Sequence, residues 1–194
     1  MTDRFERAIA AIDAANADDP VRIEVDRRLR PKELVHAEVV TRWLEALDPD
    51  ADELQRLAAR AHHLRRWVVP RSDYPDGRAG YLRWRTDHKA RQAAEVATIL
   101  EREGYGADDV ERVATIVAKR GLGRDAAVQA HEDALCLAFL ELQLDPVAEQ
   151  LGHDRAVEVL RKTVAKMSPQ GVALAGTVDL SPEGAALVAE ALGA

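Results

Sequence analysis

Imidazole and carboxylate side chains at helical spacing are the groups of this chain best suited to chemistry. His36 lies three and four positions before Val39 and Val40 and seven before Trp43, so a helix through them puts His36 on their face. His62 and His63 stand side by side: His62 follows Ala58 by four, and His63 follows Ala59 by four and precedes Trp67 by four. Asp133 precedes Cys136, Leu137 and Leu140 by three, four and seven, and Glu132 stands in the same relation to Leu135, Cys136 and Phe139. Ionisable groups on faces that should be apolar are costly unless they are paired or bind a ligand. His36, His62, His63, Glu132 and Asp133 therefore make one candidate set, of the donor types that hold a divalent ion. Arg65, Arg66, Arg71, Arg85 and Lys89 make a second, matched to phosphate or carboxylate oxygens.

Each residue also has a plainer reading. An inward histidine is more often a hydrogen-bonded core residue than a ligand. Asp133 could pair with an arginine of a neighbouring helix, and Arg65 and Arg66 could be solvated cations at a helix end. Trp67, Trp84, Tyr74 and Tyr81 read as packing, His131 and His153 as exposed, and Cys136 as core. Motifs for other chemistries are missing: there is no GxSxG, Gly-rich phosphate loop, CxxC or HExxH.

The elements that must position these groups read as helices. Phe5, Ala8, Ile9 and Ile12 predict a helix over roughly 3–17. Val21, Ile23 and Val25 alternate, but without a clear partner strand the segment reads as an extended connection. A second helix starts at Pro31 and runs to Leu47, and Asp50 or Asp52 caps a third through Leu64. A turn-rich loop spans Pro70 to Gly80. Further helices are predicted at about 78–103, 107–120, 125–144, 146–151 and 153–167. On the helix over 78–103, Leu82, Arg85, Lys89, Ala93, Val96 and Leu100 form one line, with His88 and Gln92 beside it. MSPQG breaks the chain, and Ser181-Pro-Glu starts a short last helix. The expectation is an all-α domain over 1–168 and a tail over 169–194 with one short helix. The tail's apolar face (Ala186, Leu187, Ala191, Leu192) must pack on the body or form a homodimer.

Composition narrows the function classes. A chain of 194 residues that is 47% hydrophobic can bury its own core. A net charge of −7 argues against extended nucleic acid or acidic membrane as partner, without excluding a local basic pocket. One cysteine precludes an intrachain disulfide, and the acidic N-terminal segment lacks the apolar run of a signal peptide, so the expected location is cytoplasmic.

The order His36, His62-His63, then Asp133 early in an apolar helix resembles the HD-domain superfamily of metal-dependent phosphohydrolases. That resemblance implies an HD-domain-like bundle of about seven to nine helices, with a divalent ion on His36, His62, His63 and Asp133. His63 stands where the superfamily has the aspartate of a His-Asp doublet, and that substitution favours a transition metal or none. The runs AHHLRRWVVPRSDYP, RAGYLRWRTD, HEDALCLAFLE and LRKTVAKMSPQG are similar, over most of the chain, to the domain of unknown function 4202 family. Two expectations follow. The first is hydrolysis of a small phosphorylated compound or nucleotide, with Glu132 orienting water or acting as base and Arg66 and Arg85 neutralising developing charge. The second is a degenerate scaffold that binds an anionic metabolite or protein partner without turnover.

Overall fold

A computed structural model describes residues 3–25 and 27–193. Among the described residues the chain forms nine α-helices and one two-stranded hairpin. The helices are α1 (Asp3–Ala17), α2 (Lys32–Leu47), α3 (Glu53–Ala61), α4 (Gly77–Arg102), α5 (Ala107–Val117), α6 (Ala126–Leu151), α7 (His153–Val164), α8 (Pro169–Ala175) and α9 (Pro182–Leu192). No helix among them is long and apolar enough to cross a membrane. The fold is the all-α bundle that the periodicity predicts.

Four differences from the sequence reading have local causes. The alternating segment does find a partner: β1 (Arg22–Val25) pairs antiparallel with β2 (Arg28–Pro31), from Arg22 opposite Pro31 to Val25 opposite Arg28. Helix α6 runs on through Pro146 to Leu151 and stops at Gly152, whose φ of 79° ends it. The MSPQG break is itself a helix start: the Ser168 hydroxyl accepts from the Gly171 N–H and caps α8. On α4 the buried line is His88, Gln92, Val96 and Leu100, while Leu82, Arg85 and Lys89 are exposed.

Two apolar clusters hold the bundle. One joins α1, α3, α4 and α5 through Phe5, Ile12, Leu57, Leu64, Leu100 and Ile116. The other joins α2, α6, α7 and the last two helices through Val40, Leu44, Leu137, Leu144, Leu160 and Leu187. Helix α6 passes from one to the other, with Val128 in the first and Ala134 in the second. His131, Glu132 and Asp133 occupy the gap between, so they lie at the seam.

The tail shares this core. Ala175, Val178, Leu187 and Val188 belong to the second cluster, and Ser181 donates to Asp145 Oδ1 at 2.8 Å. Helices α6 and α7 cover the Leu187 side of α9, while Leu192 stays 44% exposed.

Candidate functional site

Histidines from three helices meet at the seam. The rings of His36 and His63 stack with centroids 4.1 Å apart and planes 18° apart, and His62 lies 4.7 Å from His63. His36 comes from the second turn of α2, while His62 and His63 leave the C-terminus of α3. The fourth is His131 of α6, whose Nε2 lies 3.1 Å from His62 Nδ1. His131 is 1% exposed, which corrects the sequence reading of a surface histidine. Its α6 neighbours Glu132, Asp133 and Ala134 are buried with it, because this stretch of the helix is enclosed on every side.

The acid beside His36 and His63 is Glu33. Its Oε2 lies 3.0 Å from His63 Nδ1, and Glu33, His36 and His63 offer ligand atoms all within 4.8 Å of one another. Arg66 donates from Nη1 to His63 Nε2 at 2.6 Å. A guanidinium can only donate, so His63 carries its proton on Nδ1 and gives it to Glu33. Burial pushes the Glu33 carboxyl up to about 7, against the pull of Arg66 and Lys32. Burial likewise pushes His36 down to about 3 and His63 well below its ordinary value, so both imidazoles are neutral at neutral pH. The sequence carried a signal for Glu33, which precedes His36 by three on the same helix face.

Asp133 is placed elsewhere. It accepts from the Ser168 N–H at 2.9 Å, the Ser168 hydroxyl at 2.5 Å and Gln129 Nε2 at 3.0 Å, and is not in the group of Glu33, His36 and His63. A Cβ on Gly171 would sit 2.7 Å from its Cγ, so the turn before α8 is closed around it. Gln129 also donates to the Lys166 carbonyl at 2.9 Å. Together these bonds anchor the 165–168 turn and bring Lys166 Nζ to 3.0 Å from Glu132 Oε1. Lys119 closes on Glu132 Oε2 from the end of α5, where its own φ is 59°. Burial would raise Glu132, but the two ammoniums outweigh it and hold the carboxyl below its ordinary value. A carboxylate committed to two cations is a weak proton acceptor.

Two adjoining cavities of about 360 and 350 Å³ open onto this cluster and share His62, His63, Arg66, Tyr81, Lys119 and Lys166. Arg85 and Lys89 from α4 line the first as well. The aromatic rims brace the arginines, with Arg66 5.2 Å above Trp84 and Arg85 5.7 Å above Tyr81. Arg66 is aimed by its backbone. Arg65 adopts a left-handed φ of 48° and its N–H donates to Asn16 Oδ1, while His88 Nε2 donates to the Arg66 carbonyl at 3.0 Å. Of the five predicted anion-binding residues, Arg66, Arg85 and Lys89 line the first cavity. Arg65 instead pairs with Glu95 at 3.5 Å, and Arg71 ties to the carbonyls of Tyr74 and Pro75. Lys119 and Lys166 were not legible, because each lies where a helix has ended and only the tertiary fold turns it inward.

The five cations are poorly compensated. Among the described residues Glu132 is the only carboxylate lining either cavity. Burial lowers Lys89, and Arg85 and Lys119 nearby lower it further. A chain with net charge −7 thus concentrates positive charge at one place.

Three features of the donor set bear on its fit to a divalent ion. His36 Nδ1 is buried without a partner, and the buried Glu33 lacks a full countercharge. Two imidazoles and one carboxylate are a set that transition metals accept with a position left open, and His63 joins it once one of its nitrogens is released from Glu33 or Arg66. These residues fit an ion.

A family model with the description Domain of unknown function (DUF4202) matches residues 6–188. No curated protein and no solved structure matches the chain.

Proposed function

The chain belongs to the Domain of unknown function (DUF4202) family, and since that description names no reaction, we propose one from the site: hydrolysis of a small compound carrying more than one phosphoryl charge. The observation that carries this reading is the juxtaposition of Arg66, Arg85, Lys89, Lys119 and Lys166, facing one carboxylate, with the donor group Glu33, His36 and His63. Five cations against Glu132 suit a ligand of about four negative charges, because each phosphoryl group carries roughly −1.5 to −2.

Glu33, His36 and His63 would hold a divalent transition metal. Such an ion supplies a bound water of lowered pKa and polarises a phosphoryl oxygen. Arg66 and Arg85 stabilise charge on the equatorial oxygens, and their cation–π contacts keep both guanidiniums in place before the ligand arrives. Lys119 and Lys166 are positioned by Glu132, whose pinned carboxylate serves as their brace rather than as a base. Glu33, with a pKa near 7, is suited to exchange a proton at neutral pH, and metal binding would release that proton.

A second reading rests on one contact. Arg66 Nη1 lies 2.6 Å from His63 Nε2, where a guanidinium opposes a nearby cation. That favours a metal-free pocket that binds the same class of anion without turnover.

Elemental analysis of the purified protein, then assay of mono- and diphosphate esters with added manganese, cobalt, nickel or zinc, separates the two. Hydrolysis predicts bound metal and turnover, both lost in Glu33→Gln and His63→Ala. Absence of both in the unmodified protein, with retained pyrophosphate binding, would leave the binding reading alone.

A further inference from the structure

His131 is an expensive residue for its place. An imidazole 1% exposed, with Nδ1 lacking a partner among the described residues, is destabilising relative to a group with no polar atom to satisfy. A leucine or phenylalanine would fill the site without that penalty. Among the described residues the one hydrogen bond of its side chain joins Nε2 to His62 Nδ1 at 3.1 Å, with the rings edge-on at 66°.

That single bond has two proton arrangements. If His62 donated from Nδ1, His131 would have to carry its own proton on Nδ1, leaving a buried N–H with nothing to accept it. If His131 donates from Nε2, its Nδ1 keeps only an unpaired lone pair. Orphaned buried N–H groups are the rarer and costlier kind. His131 therefore donates, and His62 Nδ1 accepts. A neutral His62 must then carry its proton on Nε2, the one nitrogen it has left for the two cavities that it lines.

We propose that His131 is a positioning residue that fixes His62 as an N–H donor to a phosphoryl oxygen of the ligand. The proposal rests on the phosphorylated ligand class inferred above. It gives the pocket a neutral donor among its cations, set at the junction of the two cavities. A donor held by a buried partner needs no reorganisation when the anion arrives. It also separates His62 from its neighbour: His63 Nδ1 donates to Glu33, whereas His62 Nδ1 accepts, so the adjacent pair carries opposite tautomers.

Long-range proton–nitrogen correlation spectra of the metal-free protein near neutral pH read the tautomer directly, with His62→Gln assigning the signals. The expected result is a protonated Nε2 and a bare Nδ1 on His62, with the Nε2 signal shifting when pyrophosphate is added. A protonated Nδ1 on His62 overturns the proposal. By calorimetry, His62→Leu should weaken pyrophosphate binding about tenfold, and His62→Gln, which restores an N–H, should stay within about threefold. His131→Phe should produce a tautomer mixture at His62 and a loss like that of His62→Leu, whereas His131→Gln, which can still donate, should not. If His131→Phe does not fold, the His62 pair and the spectrum of the unmodified protein decide. Equal affinity in His62→Leu, with Lys89→Met still weakening binding, overturns the donor role alone. Loss of pyrophosphate binding in the unmodified protein overturns the phosphoryl reading with it.

Discussion

Four histidines at one seam make the protein's stability depend on acidity. Burial pushes His36 and His131 down to about 3, and His62 and His63 well below their ordinary value. In the unfolded chain each binds a proton near pH 6.5, but in the fold it does not until far lower. The unfolded state therefore binds more protons between about 3 and 6.5, and stability falls as the pH falls through that window. Each histidine contributes a slope of roughly 1.4 kcal/mol per pH unit. Glu33 acts in the opposite sense: its contribution is full below about 4.5 and is lost as the pH rises through about 7. Four groups outweigh one, so urea midpoints of the metal-free protein should drop steadily below pH 6.5, with more than one proton taken up on unfolding. A flat midpoint across that window would show that the imidazoles are solvated. Which histidines face inward was partly legible. His36, His62 and His63 follow helical spacing to apolar residues, whereas His131 sits at the start of a helix apolar on every side, where periodicity names no face.

At the scale of elements, Asp133 joins α6 to the turn that starts α8. It accepts two bonds from Ser168, whose hydroxyl in turn caps α8 at Gly171. Removing the carboxylate leaves the half-buried Ser168 N–H and hydroxyl without their acceptor, so Asp133→Ala should cost about 1–3 kcal/mol in urea unfolding. Its metal content should equal that of the unmodified protein, since Asp133 is outside the group of Glu33, His36 and His63. A variant of unchanged stability that has lost metal would return Asp133 to the ligand role that its sequence position suggests. The pattern of a buried acid early in an apolar helix is the same for a ligand and for a cap receptor. Spacing along one chain does not say which loop arrives from thirty-five residues later.

Over the whole molecule, cations from separate elements are held close together against their own repulsion. Arg85 and Lys89 come from α4, Lys119 from the end of α5, and Lys166 from the turn after α7. Lys89→Met should therefore act in opposite directions. It should raise the melting temperature without ligand by relieving repulsion, and reduce the rise that pyrophosphate gives. For the unmodified protein, pyrophosphate at one hundred times its dissociation constant should add about 2.7 kcal/mol. A Lys89→Met protein that is less stable, with an unchanged pyrophosphate shift, would remove Lys89 from the pocket.

The sequence by itself determined most of the helices, several of their caps, and the residues too polar for the faces they occupy, because these follow from 3.6-residue periodicity and local hydrogen bonding, whereas α8 and the run of α6 through Pro146 did not show in it. It also carried the family resemblance. Only the tertiary structure decided which acid stands beside the histidines and which lysines enter the pocket. Glu33 joins His63 across thirty residues, Gln129 and Asp133 fold the 165–168 turn so that Lys166 reaches Glu132, and Lys119 arrives at the end of α5. Those pairings depend on how two apolar clusters meet at α6, and contacts between elements leave no periodic trace in either element alone.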